Sequence, residues 1–393
     1  MRPSFVAAAG ALLLACGPAV QEQARQQPAS PAESAGPPAR EYRLLVASEG
    51  NDEVALVSYG PAGTKVERRR KVGSNPTELA GPHGVAVSPD GRFYYVTTAH
   101  GMPNGALYKY STNTDEQLGR VELGLFPATV QVAPGGHYVW AVNFNLYGEH
   151  VPSSVSVVYA DQMFEVKRIP TCVMPHGSRL SSDGKRHYSA CMMDDQLVEI
   201  DADRMAVSRR FLLKAGEERA LDPAPVALAS HGSDGHGGDG HAGATCSPTW
   251  AQPSVDDRTI WVACNKSNEL VEVDATRWTL RRRVPAGDGI YNLAASPDGK
   301  LVVATNKRGQ SVSVFDAAGG KELARIPTTR RLPSGLAVSD DSRYAFVTLE
   351  SVGSEPGAVD VIDLATRTKV ASVDVGQQAG GIAFLEDSAS PAR

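Results

Sequence analysis

From Arg43 onward the chain is written in short alternating runs. RLLVAS at 43–48, FYYVTT at 93–98, LVVATN at 301–306 and YAFVTL at 344–349 are each six residues of β-branched, aromatic and small side chains. Turns rich in Gly, Pro, Asp and Ser separate the runs. Segments of this length and composition predict strands. Helical spacing of apolar positions is absent throughout, so the pattern predicts an all-β chain.

The runs recur in a fixed order. Ser88-Pro89-Asp90-Gly91 returns as Ala133-Pro134-Gly135-Gly136, Ser181-Ser182-Asp183-Gly184, Ser254-Val255-Asp256-Asp257, Ser296-Pro297-Asp298-Gly299 and Ser339-Asp340-Asp341-Ser342. A small-residue strand precedes each turn (GVAVS, NLAAS, GLAVS) and a bulkier strand follows it. A third strand (ALYKYS, QLVEID, ELVEVD, SVSVFD, AVDVID), a turn and a fourth strand complete the unit. The turns lie 42 to 48 residues apart, apart from one gap of 73 between the fourth and fifth units.

Four antiparallel strands in forty-odd residues predict the blade of a β-propeller. Small residues suit the first strand, which lines the crowded axis. The fourth strand is the outer edge and carries Arg68-Arg69-Arg70-Lys71, Arg209-Arg210 and Arg281-Arg282-Arg283. Charge on an edge blocks pairing with another chain; an anionic partner is the other reading of these runs. Blade one lacks a first strand, and Gly381–Leu385 supplies it. Six complete blades and one shared blade predict a seven-bladed β-propeller closed by the C-terminal strand.

Tyr95-Val96-Thr97-Thr98, Val303-Ala304-Thr305-Asn306 and the SPDG turns resemble the YVTN-repeat family of bacterial β-propellers. The likeness covers nearly all of the body. It implies the fold and carries no catalytic motif to transfer. Relatives include surface-layer and periplasmic proteins, and more distant ones resemble the haem-d1 and copper-cluster propellers. Cysteine where Asn is usual and the long insertion depart from the pattern.

The N-terminus changes the picture. MRPSFVAAAGALLLAC has one early charge and an apolar run too short to span a bilayer, the form of an export signal. Leu13-Leu14-Ala15-Cys16 resembles the lipobox of bacterial lipoproteins, which implies acylation of Cys16 and anchorage to a membrane surface. Residues 1–15 are then the signal. Residues 16–40, rich in Gln, Pro, Ala and Ser, form a tether unable to bury much apolar surface. The propeller occupies 41–387 with an insertion at 217–245, and 388–393 is a tail. By the same resemblance Gly17, standing where Asp would retain a lipoprotein at the inner membrane, points to the periplasmic face of the outer membrane or the cell surface. The net charge of −5 is interspersed, so nothing argues for nucleic acid.

Strand polarity places candidate chemistry on one face. Strand 2–3 loops and blade-to-blade links share the upper face. Seven of the nine histidines map there, all but His137 and His187, together with the four body cysteines and Met102, Met174, Met192 and Met193. His, Cys and Met together are the ligand set of copper and zinc. Cys172 with Cys191, and Cys246 with Cys264, each fall within two residues of cross-strand register. Two disulfides are expected, with thiolate metal ligation as the competing reading. The insertion reads HGSDG-HGGDG-HAG, so His231, His236 and His241, with Asp234 and Asp239, are candidate ligands for copper or zinc on a glycine-rich loop; a solvated spacer is the other reading. At the channel mouth His83, His176 and Tyr291, with His100 in a neighbouring loop, are candidate ligand-binding residues. The first-strand column there (His83, Ala128, His176, Thr249 or Trp250, Tyr291, Ser334, Gly380) holds no carboxylate, which counts against a metal-dependent lactonase. No nucleophile–base pair stands out. The expected function is an exported, lipid-anchored binding or scaffold propeller whose upper face holds a metal or a protein partner. The alternative is a periplasmic redox enzyme holding haem or copper on that face.

Overall fold

The computed structural model describes Met1 and residues 37–73, 77–100, 104–224 and 244–385. The chain separates into two units, Met1–Glu33 and Ser34–Arg393, and every described residue after Met1 belongs to the second. Seven antiparallel sheets, one per blade, make up the fold. The only helix among the described residues is a single 3-10 turn, Glu49–Asn51, and none is long and apolar enough to cross a membrane.

The first strands, in blade order, are Ala379–Leu385, Pro82–Val87, Pro127–Val132, Pro175–Leu180, Pro248–Pro253, Ile290–Ala295 and Pro333–Val338. Closure occurs in blade one, where Leu44 pairs with Phe384 and Val46 with Ile382. The shared blade satisfies the backbone edges at both chain ends.

Each repeated residue has a local task. In the turn between strands one and two, Ser88 Oγ donates to Asp90 Oδ1 at 2.6 Å and accepts from Phe93 N at 3.0 Å. Gly91 completes the turn with φ +69°, a conformation that costs glycine little. Ser181–Asp183, Ser254–Asp256, Ser296–Asp298 and Ser339–Asp341 repeat the serine–aspartate contact. In the second strand, Thr97, Thr305 and Thr348 accept from the N–H of Gly84, Asn292 and Gly335. First-strand pairing is irregular there, and the hydroxyl occupies a donor the ladder has dropped.

The core is a set of layers between blades. Leu45, Leu56, Tyr94, Tyr108 and Tyr110 pack blade one on blade two, and Tyr42, Tyr59, Tyr344 and Phe346 pack it on blade seven. Each large apolar side chain taken from water contributes about 1.5–3 kcal/mol. Outer strands stay exposed, and their arginines are mostly tied to neighbouring acids: Arg68 to Asp115 at 2.6 Å, Arg281 to Asp274 at 3.1 Å and Arg282 to Glu272 at 2.7 Å. Those pairings favour the edge reading of the arginine runs over an anionic partner.

The described part of the insertion extends blade four. Arg219–Leu221 adds a fifth strand to blade four, pairing Arg210 with Leu221, where a loop was expected. Glu218 is held by Arg283 Nε of blade five at 2.6 Å.

Candidate functional site: the upper mouth of the central channel

The mouth is built by one backbone device used seven times. The residue just ahead of each first strand (Gln378, Gly81, Phe126, Met174, Ser247, Gly289, Leu332) has φ between 48° and 66°. Five of the seven are not glycine, and each such residue costs about 1 kcal/mol. Every one of these carbonyls accepts, at 2.8–3.2 Å, the N–H of the residue that follows strand two of its blade. The donors are Glu49, Ala99, Phe144, Met192, Asn265, Lys307 and Glu350. A second ring of side chains therefore lies beside the first-strand column, and reading that column alone missed it. The signal was present in the sequence as the residue after each YVTN-like run.

Glu49 corrects the expectation of a mouth without carboxylates. Its Oε1 takes the Nδ1 hydrogen of His83, and its Oε2 lies 3.1 Å from Nε2 of His100. Burial pushes the Glu49 carboxyl up, but the charge of His83 and hydrogen bonds from both histidines outweigh it and hold its pKa down at about 2. The His100 pKa is raised, chiefly by the hydrogen bond to Glu49. Two of the predicted mouth histidines thus meet on one carboxylate from blade one.

His176 and Tyr291, two blades apart, form a second cluster. His176 Nδ1 donates to the Thr249 carbonyl at 2.9 Å, which leaves Nε2 as an acceptor. The Tyr291 hydroxyl donates to that nitrogen at 2.9 Å. Burial lowers the His176 pKa to about 3 and raises that of Tyr291, so both are neutral near pH 7. Lys307 Nζ sits 4.3 Å from the Tyr291 ring centroid and pairs with Glu350 at 2.6 Å. Burial disfavours the ammonium, but Tyr291 and Glu350 outweigh it and raise the Lys307 pKa.

An aromatic arc joins the clusters. His83 and His100 meet the Phe126 edge at 5.2 and 6.0 Å, Phe126 packs on Phe144 at 5.7 Å, and Phe144 packs on His176 at 4.7 Å. Tyr147, 65 % exposed, stacks on His100 at the rim. Met174, Met192 and Met193 back the arc from blade four. The mouth is thus apolar over blades three and four and charged from blade six round to blade two. Below it runs a channel of about 470 Å³, lined by His83, His176, Tyr291, Asn292, Trp250 and Arg179 among others.

The cysteines form disulfides as expected, Cys172–Cys191 and Cys246–Cys264, with Cα separations of 6.0 and 4.5 Å. Bonded sulfur is no thiolate, so the competing metal reading of these four residues falls. Their placement differs from a simple cross-strand pair. Cys172 lies near the end of blade three's outer strand, Phe164–Val173, and Cys246 lies in the link to blade five. Each bond therefore ties an incoming segment to the end of strand two. Cys191 and Cys264 occupy the column of Asn143 and Asn306. Among the described residues, no group of three or more His, Cys, Asp or Glu side chains is arranged to hold a metal ion. His231, Asp234, His236, Asp239, His241 and Cys16 lie outside the described residues.

Fold and mouth together define a closed seven-bladed β-propeller with a polar, aromatic-rimmed channel. No family model matches the chain, and no curated protein matches it. Solved structures do. The periplasmic gluconolactonase of Pseudomonas aeruginosa is similar at 19 % identity and TM-score 0.64, covering 88 % of this chain and 99 % of that one. The hydrazine synthase of Kuenenia stuttgartiensis is similar at 20 % identity and TM-score 0.60, covering 80 % and 92 %. A protein of unknown function from Desulfotomaculum acetoxidans is similar at 14 % identity and TM-score 0.64, covering 88 % and 99 %. At these identities the likeness establishes the fold alone.

Proposed function

We propose that this chain is an exported, lipid-anchored member of the YVTN-like propellers that binds a small polar ligand at the upper mouth of its central channel. One observation carries the reading. Glu49, His83, His100, His176, Tyr291 and Lys307, drawn from four blades, are locked in a hydrogen-bonded and ion-paired arrangement over a cavity of ligand size. Preformed polar groups beside an aromatic wall suit a ligand with an apolar side and several hydroxyl or carbonyl groups. The disulfides agree with an oxidising, exported setting. The test is a thermal-shift panel of monosaccharides, sugar lactones and hydroxy acids. A hit whose stabilisation is lost in Tyr291→Phe and His83→Gln supports the reading. A panel without hits, or hits indifferent to both substitutions, counts against it.

A second reading is favoured by Glu49. A carboxylate held between two histidines can orient an imidazole to take a proton from water, and the Pseudomonas relative is named a gluconolactonase. Under this reading the chain hydrolyses a lactone. Proton release from D-glucono-1,5-lactone above the spontaneous rate, abolished in Glu49→Gln, supports it; a rate equal to the blank refutes it.

The expectation of copper or zinc now rests on His231, His236 and His241 with Asp234 and Asp239. It is tested by metal analysis of the native protein with and without residues 230–245.

A further inference from the structure

Below the mouth the channel wall becomes lopsided. At the fifth position of the first strand, blades one, two, six and seven carry alanine, while blades three, four and five carry Gln131, Arg179 and Gln252. All three polar side chains line the cavity. The alanines leave open the space that faces them.

Arg179 is the unusual member. Its guanidinium lies 4.6 Å from the Trp250 ring centroid, and Nη1 donates to the Ser178 carbonyl at 2.9 Å. Among the described residues no carboxylate pairs with it. Burial alone lowers its pKa, to about 10, so it stays charged at neutral pH. Most arginines of the outer-strand runs, by contrast, have acids beside them, Arg68, Arg209 and Arg282 among them. Arg179 is partly buried, and a guanidinium part-withdrawn from water without a counter-charge favours an anion that reaches it.

The position is built. A Cβ at Gly177 would stand 2.3 Å from both the Thr249 carbonyl and the Trp250 ring, so glycine there lets the backbone of blade five and the indole that carries the guanidinium close on this strand. Gln131 spends its carbonyl on Leu180 N at 2.6 Å, which leaves its amide hydrogens without a protein partner among the described residues. Gln252 donates to the Pro253 carbonyl at 2.9 Å. From the His176 position to Arg179 is three residues of strand, about 10 Å. One small ligand can span that distance.

We propose that the channel is an anion site in which Arg179 recognises a small oxyanion, the carboxylate or phosphate head of a ligand whose body reaches the mouth. The proposal rests on the reading of the channel as the ligand site. Guanidinium geometry suits both head groups through paired N–H donors.

The test uses the full chain with sodium acetate, sodium phosphate and acetamide, the uncharged isostere of acetate. Two signals are followed: melting temperature and the Arg179 Nε–H resonance. Acetate or phosphate is expected to raise the first and shift the second, with acetamide inert. The stronger anion identifies the head group. In Arg179→Met the anion effect is expected to weaken at least tenfold, while the ligand-free protein melts no lower than wild type. If Arg179→Met does not fold, the Nε–H titration of wild type decides alone. The proposal is overturned if neither anion moves that resonance, if acetamide acts like acetate, or if the anion effect survives in Arg179→Met. Tyr291→Phe separates the two readings. Acetate is too short to touch Arg179 and the mouth together, so its effect should persist there even as mouth-ligand binding is lost.

Discussion

The Tyr291 hydroxyl donates to Nε2 of His176 at 2.9 Å and so links blade six to blade four across the channel mouth. The direction of that bond is fixed from the far side of the ring, where Nδ1 is committed to the Thr249 carbonyl. Removing the hydroxyl leaves a buried acceptor without its donor. Tyr291→Phe should therefore lower unfolding free energy by about 1–2 kcal/mol, read by urea denaturation, with secondary structure unchanged. An equal or higher stability would mean that the bond is dispensable.

The Glu49 contacts carry a pH signature. The Glu49 pKa is depressed to about 2, so its contribution is present above its ordinary value of 4.5 and is lost as pH falls toward 2. The His100 pKa is raised, so its contribution is full below 6.5 and fades as pH rises through the raised value. The contact is strongest between those limits. The melting-temperature difference between wild type and Glu49→Gln should be largest near pH 5–6 and shrink at pH 9. A difference that grows toward pH 9 would contradict this.

His187 is a separate acid-sensitive point. It is fully buried, stacks on Trp140 at 5.1 Å, and neither ring nitrogen has a protein partner among the described residues. Burial lowers its pKa to about 3. The unfolded chain binds this proton below about pH 6.5 and the folded chain does not, so stability is lost as pH falls from 6.5 toward 3. His187→Phe should be neutral or stabilising by about 1 kcal/mol at pH 7 and should lose less stability at pH 4.5. A fall matching wild type between those pH values would assign the acid sensitivity elsewhere, with His176 the first candidate.

Each disulfide closes a loop of 18 or 19 residues. Cys172→Ala with Cys191→Ala, or Cys246→Ala with Cys264→Ala, should cost about 3 kcal/mol per bond. Chemical denaturation with and without reductant measures it. A reductant-insensitive midpoint would show that the bonds contribute little.

The wheel was legible because its instructions are local and repeated. Ser88 and Asp90 specify one turn, Thr97 mends one ladder, and both recur at a period a reader can see. The cysteine pairs were legible through register. Glu49, Lys307 and Glu350 were not, because the position of each depends on a left-handed residue eighteen residues earlier in the blade, or at the far end of the chain in the case of Glu49 and Gln378. Arg179 was hidden for another reason. It stands in a first strand like any polar residue, and only the closed ring shows that no carboxylate pairs with it among the described residues. Arg219–Leu221 has too few apolar residues to announce a strand, and pairing with Arg210–Leu212 makes it one.

The most direct test of a ligand in the channel is a crystal structure of the protein soaked with the best hit of the thermal-shift panel. Ligand density is expected between Tyr291 and Arg179, in contact with both the mouth and the guanidinium. Density on the outer rim or between blades, with only solvent along the channel, would contradict it.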